Sequence, residues 1–148
     1  MAQLEHRRDG YTISTDKTKL DVGTIHRYLS EESYWAEGRP REIVETSIKH
    51  SLCFGVYGPS DDQVGFARVV TDRVTFAWIC DVFILRAHRG VGLGKWMIET
   101  ITAHPQIKGV KRVMLATRDA HGLYRDYGGF QPLEHPEKWM ARVRGETA

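Results

Sequence analysis

The sequence predicts an α+β layered domain, a mixed sheet with helices on both faces. Three observations carry this expectation. Short segments with the period of a strand alternate with segments of helical period, in the order strand, two helices, three strands, helix, strand, helix, strand. The longest strand-like run, "TFAWICDVFIL" at 75–85, is apolar on both faces, which marks a central strand covered from two sides. That strand reaches the next one only through a helix, so the two are expected to run parallel by a right-handed crossover.

The elements follow in order. Residues 10–16, "GYTISTD", alternate Tyr11 and Ile13 with polar neighbours and read as a half-buried strand. In "LDVGTIHRYLS", Asp21 is placed to cap a helix whose apolar face is Val22, Ile25, His26 and Leu29. An acidic, aromatic stretch, "EESYWAEGRP", leads to Pro40, which suits the first turn of a second helix with Ile43, Val44 and Ile48 on its apolar side. "SLCFGVYG" and "QVGFARVVTD" read as strands joined by a "PSDD" turn. On the central strand, Phe76, Trp78, Cys80, Val82 and Ile84 are expected on one face, with Ala77, Ile79, Phe83 and Leu85 on the other. "GLGKWMIETITAH" reads as a helix with Leu93, Met97 and Ile101 inward and Trp96 beside them. "VKRVMLATR" is a strand, "AHGLYRDYG" a short helix and "KWMARV" a last strand. No repeat, low-complexity tract or linker interrupts the order, so residues 1–148 form a single expected domain.

Composition narrows the function. Hydrophobic residues make up 41% and charged residues 27%, ordinary for a globular protein, and a net charge of +2 without a basic stripe does not suggest nucleic acid. The longest uninterrupted apolar run is "FAWIC", far short of a membrane span, and the amino terminus lacks an apolar signal core. Cys53 and Cys80 lie in apolar stretches outside any metal spacing, which suits reduced thiols in the cytoplasm. No HExxH or other dense ligand cluster suggests a metal.

The chemistry concentrates at "HRGVGLGKW", residues 88–96. A Walker loop fails there because Trp96 follows Lys95 and position 89 is Arg, and a dinucleotide fingerprint fails because no third glycine stands at the required spacing. What remains is a buried strand, a tight glycine loop, and a helix whose first amides point outward with no side chain in the way. Lys95 falls in the first helical turn, where the macrodipole disfavours a cation by about 0.3–1 kcal/mol unless an anion is bound. Arg89 stands ready for a charge-assisted contact. A solvated loop in which the glycines only make a turn is the competing reading.

Arg89-Gly90-Val91-Gly92-Leu93-Gly94 resembles the Q/R-x-x-G-x-G/A signature of the GNAT superfamily of acetyl-CoA-dependent N-acetyltransferases, and it follows a central strand as in that family. The stretch "ATRDAHGLYRDYGGFQPL" resembles the family's second signature, with Ala120, Leu123 and Tyr124 at matching positions. The likeness spans about residues 10–143. It implies a mostly antiparallel sheet whose parallel central pair splays to leave a cleft. It also implies that the amides of Val91, Gly92, Leu93, Gly94 and Lys95 hold the pyrophosphate of acetyl-CoA. The pantetheine arm would pair, strand-like, with Val82, Phe83 and Ile84. Thr117 stands where many members carry an asparagine near the cofactor, so that contact is expected to be weaker or absent. "DYGGF" departs from the common Tyr-x-x-x-Gly-Phe spacing; counted from Leu123 the acid position is Tyr124, counted back from Phe130 it is Arg125, and the first count is preferred.

Acetyl transfer needs a neutral amine, and a lysine-like amine with pKa near ~10.4 is neutral in only about one molecule in a few thousand at pH 7. Tyr124, protonated at pH 7, is the candidate acid for the leaving thiolate, with the transfer mildly uphill unless the site lowers its pKa. Its bland alternative is a core tyrosine; Tyr127 is expected to be a packing aromatic. Asp81 interrupts an apolar strand and is read either as a base or acceptor contact, or as a structural partner for an arginine such as Arg68. Glu31, Glu32, Tyr34, Trp35 and Glu37 occupy the segment that walls the acceptor pocket in the family, and carboxylates beside aromatic faces suit an ammonium group. Of these, Glu32, Tyr34 and Trp35 are the chosen acceptor contacts. The expected activity is acetyl transfer to a primary amine of a small molecule by direct attack in a ternary complex. A protein or peptide amine as acceptor, or a non-catalytic acyl-CoA sensor, is the alternative, and the sequence permits a homodimer.

Overall fold

In the computed structural model, which describes residues 3–145, one six-stranded sheet organises the chain. The strands are β1 (Glu5–Arg8), β2 (Tyr11–Ser14), β3 (Leu52–Tyr57), β4 (Gln63–Thr71), β5 (Phe76–Ile84) and β6 (Arg112–Met114), and they lie side by side in chain order. Neighbours are antiparallel except β5 and β6, which are parallel, as the crossover requires. The crossover helix is α3 (Leu93–Ala103), and α4 (His121–Gly128) packs beside it on one face. The other face carries α1 (Val22–Arg27) and α2 (Arg41–Lys49). Asp21 caps α1 by accepting from the Thr24 amide at 3.1 Å. The first helix is shorter than its periodicity predicts: after Arg27 the chain widens into a π turn, Tyr28–Glu32, that leads to Tyr34 and to Trp35, which reaches Asp81 of β5.

Two apolar clusters sandwich the sheet. Phe54, Val56, Ala77 and Ile79 meet Met97, Ile98 and Ile101 of α3 on one side. Cys53, Phe66 and Phe83 meet Ile25, Leu29, Val44 and Ile48 on the other.

A bulge in β5 changes which residues share a face. Arg68 pairs with Cys80 and Phe66 with Phe83, so Asp81 and Val82 together stand opposite the single residue Ala67. Asp81 takes the left-handed conformation, φ 53°, unusual for a residue with a side chain. The extra residue resets the alternation. Phe83 and Leu85 therefore join the cluster of α1 and α2, and Val82 and Ile84 join that of α3, so the two faces expected from simple alternation exchange partners beyond Asp81.

Other expectations are corrected. β1 was not anticipated because its four residues are all exposed and polar; the signal was Asp9-Gly10, both at positive φ, which closes a tight hairpin onto β2. "KWMARV" forms no strand: Pro136 opens a 3-10 turn, and Met140 and Val143 stay 98% and 82% exposed. The strand expected over 110–118 is formed only over Arg112–Met114. Ile43 is exposed, and Tyr127 lies at the surface with the Lys95 Nζ 5.1 Å from its ring centre.

Candidate active site

The glycine junction folds as a bend held at both flanks. Tyr11 Oη and His88 Nδ1 are 3.0 Å apart, tying the junction to β2. Arg89 donates from Nε to the Ile84 carbonyl at 2.8 Å and from Nη2 to Tyr28 Oη at 2.9 Å. Tyr28 in turn stacks on Phe83 at 4.1 Å between ring centres. Gly90 and Gly92 have φ of 85° and 84°, and open space surrounds the position of an added Cβ at each, so backbone conformation is what requires glycine. Gly94 differs: a Cβ there would stand 3.9 Å from Leu123 of α4. The first bond of the helical ladder runs from the Trp96 amide to the Gly92 carbonyl at 3.1 Å, so the amides of Leu93, Gly94 and Lys95 precede the ladder and face outward. Val91 points its side chain to solvent, 63% exposed.

From this bend a cleft of ≈ 600 Å³ runs between the splayed strands. β5 and β6 pair only from Phe76 to Trp78, and β5 then continues to Ile84 without a neighbour on that edge. Gly90, Gly92, Gly94 and Lys95 line one end of the cleft; Val82, Phe83 and Ile84 line its wall; Leu123 and Tyr124 of α4 face them. The Ile84 carbonyl is already engaged by Arg89, and Phe83 pairs with Phe66 of β4, which leaves the Val82 backbone and the Ile84 amide toward the open edge. The residues fit a long ligand with a diphosphate at one end: unpaired amides and two cations at the bend, and an open strand edge beyond it.

Tyr124 is 8% exposed and lines both this cleft and the cavity that continues beyond it. Burial, with a smaller contribution from Tyr34, pushes its hydroxyl up to about 12. The site therefore raises this pKa, where a lowering would have eased proton transfer. Arg125, the other count for the acid position, is exposed and pairs with Asp126 at 3.1 Å.

Beyond Tyr124 lies a second cavity of ≈ 530 Å³, lined by Trp35, Arg39, Arg68, Trp78, Cys80 and Asp81 among others. The bulge turns Asp81 into a hub there. Its Oδ1 accepts from Trp35 Nε1, and its Oδ2 accepts from both Arg39 Nη1 and Arg68 Nε, each at 2.9 Å. Arg68 also donates to Ser51 Oγ at 3.1 Å. Tyr34 bridges the boundary between the two cavities: its hydroxyl accepts from the Arg118 amide at 3.1 Å, and the Arg118 guanidinium lies 3.8 Å from its ring centre. Glu32 lines the cofactor-side cleft, whereas Glu31 and Glu37 line neither cavity. Thr117 lies outside the glycine-loop cleft; its Oγ1 accepts from the Ala120 amide at 3.0 Å and so helps start α4.

Arg39 and Arg118 are absent from the sequence-based set of site residues. Arg39 sits in a Gly-Arg-Pro turn that reads as punctuation, and only the fold brings it to Asp81, 42 residues away. Among the described residues no group of His, Cys, Asp and Glu is arranged to hold a metal, and no helix is long and apolar enough to cross a membrane.

Residues 19–130 match the Acetyltransferase (GNAT) family. The chain belongs to the GNAT family. A crystal structure of an acetyltransferase assigned to the GNAT family from Xanthomonas campestris pv. campestris is similar at 46% identity and a TM-score of 0.87, covering 90% of this chain and 93% of that one. An acetyltransferase by name from Gibberella zeae is 32% identical over 95% of this chain and 93% of its own length. A serotonin N-acetyltransferase 2, chloroplastic, from Oryza sativa subsp. japonica is 27% identical over 80% of this chain, which spans 61% of that relative. As a GNAT protein the chain is an acetyltransferase, and acetyl-CoA is the donor its family uses. The glycine bend and splayed strands are thus the family's fold elements in this sequence.

Proposed function

We propose that this GNAT protein moves the acetyl group of acetyl-CoA to the primary amine of a small molecule, by direct attack in a ternary complex. One observation carries the reading: the unpaired amides at the bend, the open edge of β5 and Tyr124 follow one another along a single cleft. In this reading the amides of residues 91–95 hold the diphosphate and backbone groups of the segment Val82 to Ile84 pair with the pantetheine arm. That places the thioester beside Tyr124. The second cavity, partly closed by Tyr34 and Arg118, then receives the acceptor; its size suits a small molecule better than a folded protein's side chain. The rice relative's name, a serotonin N-acetyltransferase, adds support for a small amine.

Direct attack is favoured because the thiol nearest the reaction is inert. Cys80 lines the acceptor cavity, and burial holds its pKa up at about 11, so only about one molecule in ten thousand is thiolate at pH 7. Tyr124, with a pKa of about 12 against ~8.5 for a thiol, would lose roughly 4–5 kcal/mol on full proton transfer. We therefore assign it the donation of a hydrogen bond to the sulfur as negative charge develops there. Asp81 is assigned to positioning Trp35, Arg39 and Arg68, because both of its oxygens are engaged by them and neither is left to contact the acceptor amine.

Two free thiols suit a reducing cytoplasm, the compartment this reading expects. A homodimer is also expected, because Trp139, Met140 and Val143 leave apolar surface exposed on an arm without a place in the sheet. Sedimentation should show a dimer, and Met140→Asp with Val143→Asp should yield monomer; a monomeric native chain at every concentration contradicts it.

The function is tested by following thiol release from acetyl-CoA across a panel of small amines and peptides. Thiol release matched by N-acetylated small amine supports it. Donor binding without transfer to any acceptor points to a sensor, and transfer to peptides alone points to a protein acetyltransferase.

A further inference from the structure

The acceptor cavity holds more positive charge than its contents neutralise. Three arginines, Arg39, Arg68 and Arg118, line it with two carboxylates, Asp81 and Asp119, a formal excess of one positive charge. The imbalance lies in the buried part. Arg39 and Arg68 share one carboxylate oxygen, and their side chains are 13% and 14% exposed. Arg39 Nε is shut off from solvent with no acceptor among the described residues. Asp119 is 70% exposed and stands 3.7 Å from Arg118, so it does not balance the buried pair. Two guanidiniums on one carboxylate leave the buried cluster with a net positive charge that is costly away from water, and an oxyanion in the cavity offsets that cost. A cationic acceptor, in contrast, finds no free carboxylate in the buried part of the cavity, since both oxygens of Asp81 are taken.

Resting on the transferase reading above, we propose that the acceptor is an amine that also carries an oxyanion, a carboxylate or a phosphate, held on the Arg39 and Arg68 side of the cavity. Trp35 and Trp78 supply flat walls for the carbon frame between the two groups.

The experiment measures kcat/KM at saturating acetyl-CoA for matched pairs differing only in the anion. 5-Hydroxytryptophan against serotonin and tyrosine against tyramine test carboxylate; O-phosphoethanolamine against ethanolamine tests phosphate. At least one anionic member is expected to exceed its partner tenfold or more. Arg39→Gln should collapse that ratio by about tenfold, and Arg39→Lys, which keeps the charge without the planar fork, should retain part of it. Partners without the anion acetylated equally well or better in every pair overturn the proposal, as does an unchanged ratio in folded Arg39→Gln. No product from any member, with donor binding intact, sinks the small-molecule acceptor reading itself, so the two failures are told apart.

Discussion

Tyr124 and Asp81 show how burial decides what a polar side chain does. Each interrupts an apolar environment, but Asp81 is saturated by three donors, whereas the Tyr124 hydroxyl has no hydrogen bond to protein among the described residues and borders both cavities. A group left unpaired at the junction of two cavities is available for chemistry; a saturated one holds its neighbours. Tyr124→Phe should lower kcat by about 10²-fold or more with little change in acetyl-CoA affinity, checked by steady-state kinetics beside calorimetric binding. The pH profile carries a sign. A donor must stay protonated, and burial raises the Tyr124 pKa to about 12, so rates should climb as the acceptor amine deprotonates and show no fall between pH 8.5 and 10. A falling limb there would remove Tyr124 as the donor. Asp81→Asn leaves two half-buried guanidiniums without their charge partner, and chemical denaturation should register a loss of about 3–5 kcal/mol. A change below 1 kcal/mol would show that the pair is not a structural hub.

At the scale of elements, what the sequence made legible followed local chemistry. The central strand, the crossover helix and the glycine bend were readable because apolar period and glycine spacing are local signals. Leu123 and Tyr124 stood out in the second motif, and both line the cleft. The bulge at Asp81 was not, because nothing in "WICDVF" marks a residue about to take positive φ; the register with Arg68 and Phe66 fixes it. That one residue moves Phe83 to the opposite face from Ala77 and Ile79 and gathers Arg39, Arg68 and Trp35 around one carboxylate. Arg39 escaped attention for the same reason, since long-range pairing leaves no local pattern. The bend itself predicts a clean separation of effects. Gly92→Val forces a branched side chain into φ 84°, costing about 1–2 kcal/mol of stability, and tilts the amides at the helix start. Acetyl-CoA affinity should fall tenfold or more, by calorimetry, while the folded protein keeps its circular dichroism; unchanged affinity would mean the bend does not hold the donor.

Across the whole molecule, a short parallel contact sets up the site. β6 ends after three residues of pairing, β5 runs on, and the gap between them becomes a channel with the helix start at one end and the arginine cavity at the other. Charge is graded along it, from the amides and cations of the bend to the buried guanidiniums, with a neutral tyrosine at the midpoint. The most direct test is a crystal structure of the protein with acetyl-CoA. The diphosphate oxygens should lie within hydrogen-bond distance of the amides of residues 91–95, with the thioester sulfur beside Tyr124 Oη. A diphosphate bound away from that bend, or a thioester that does not reach Tyr124, would contradict the account.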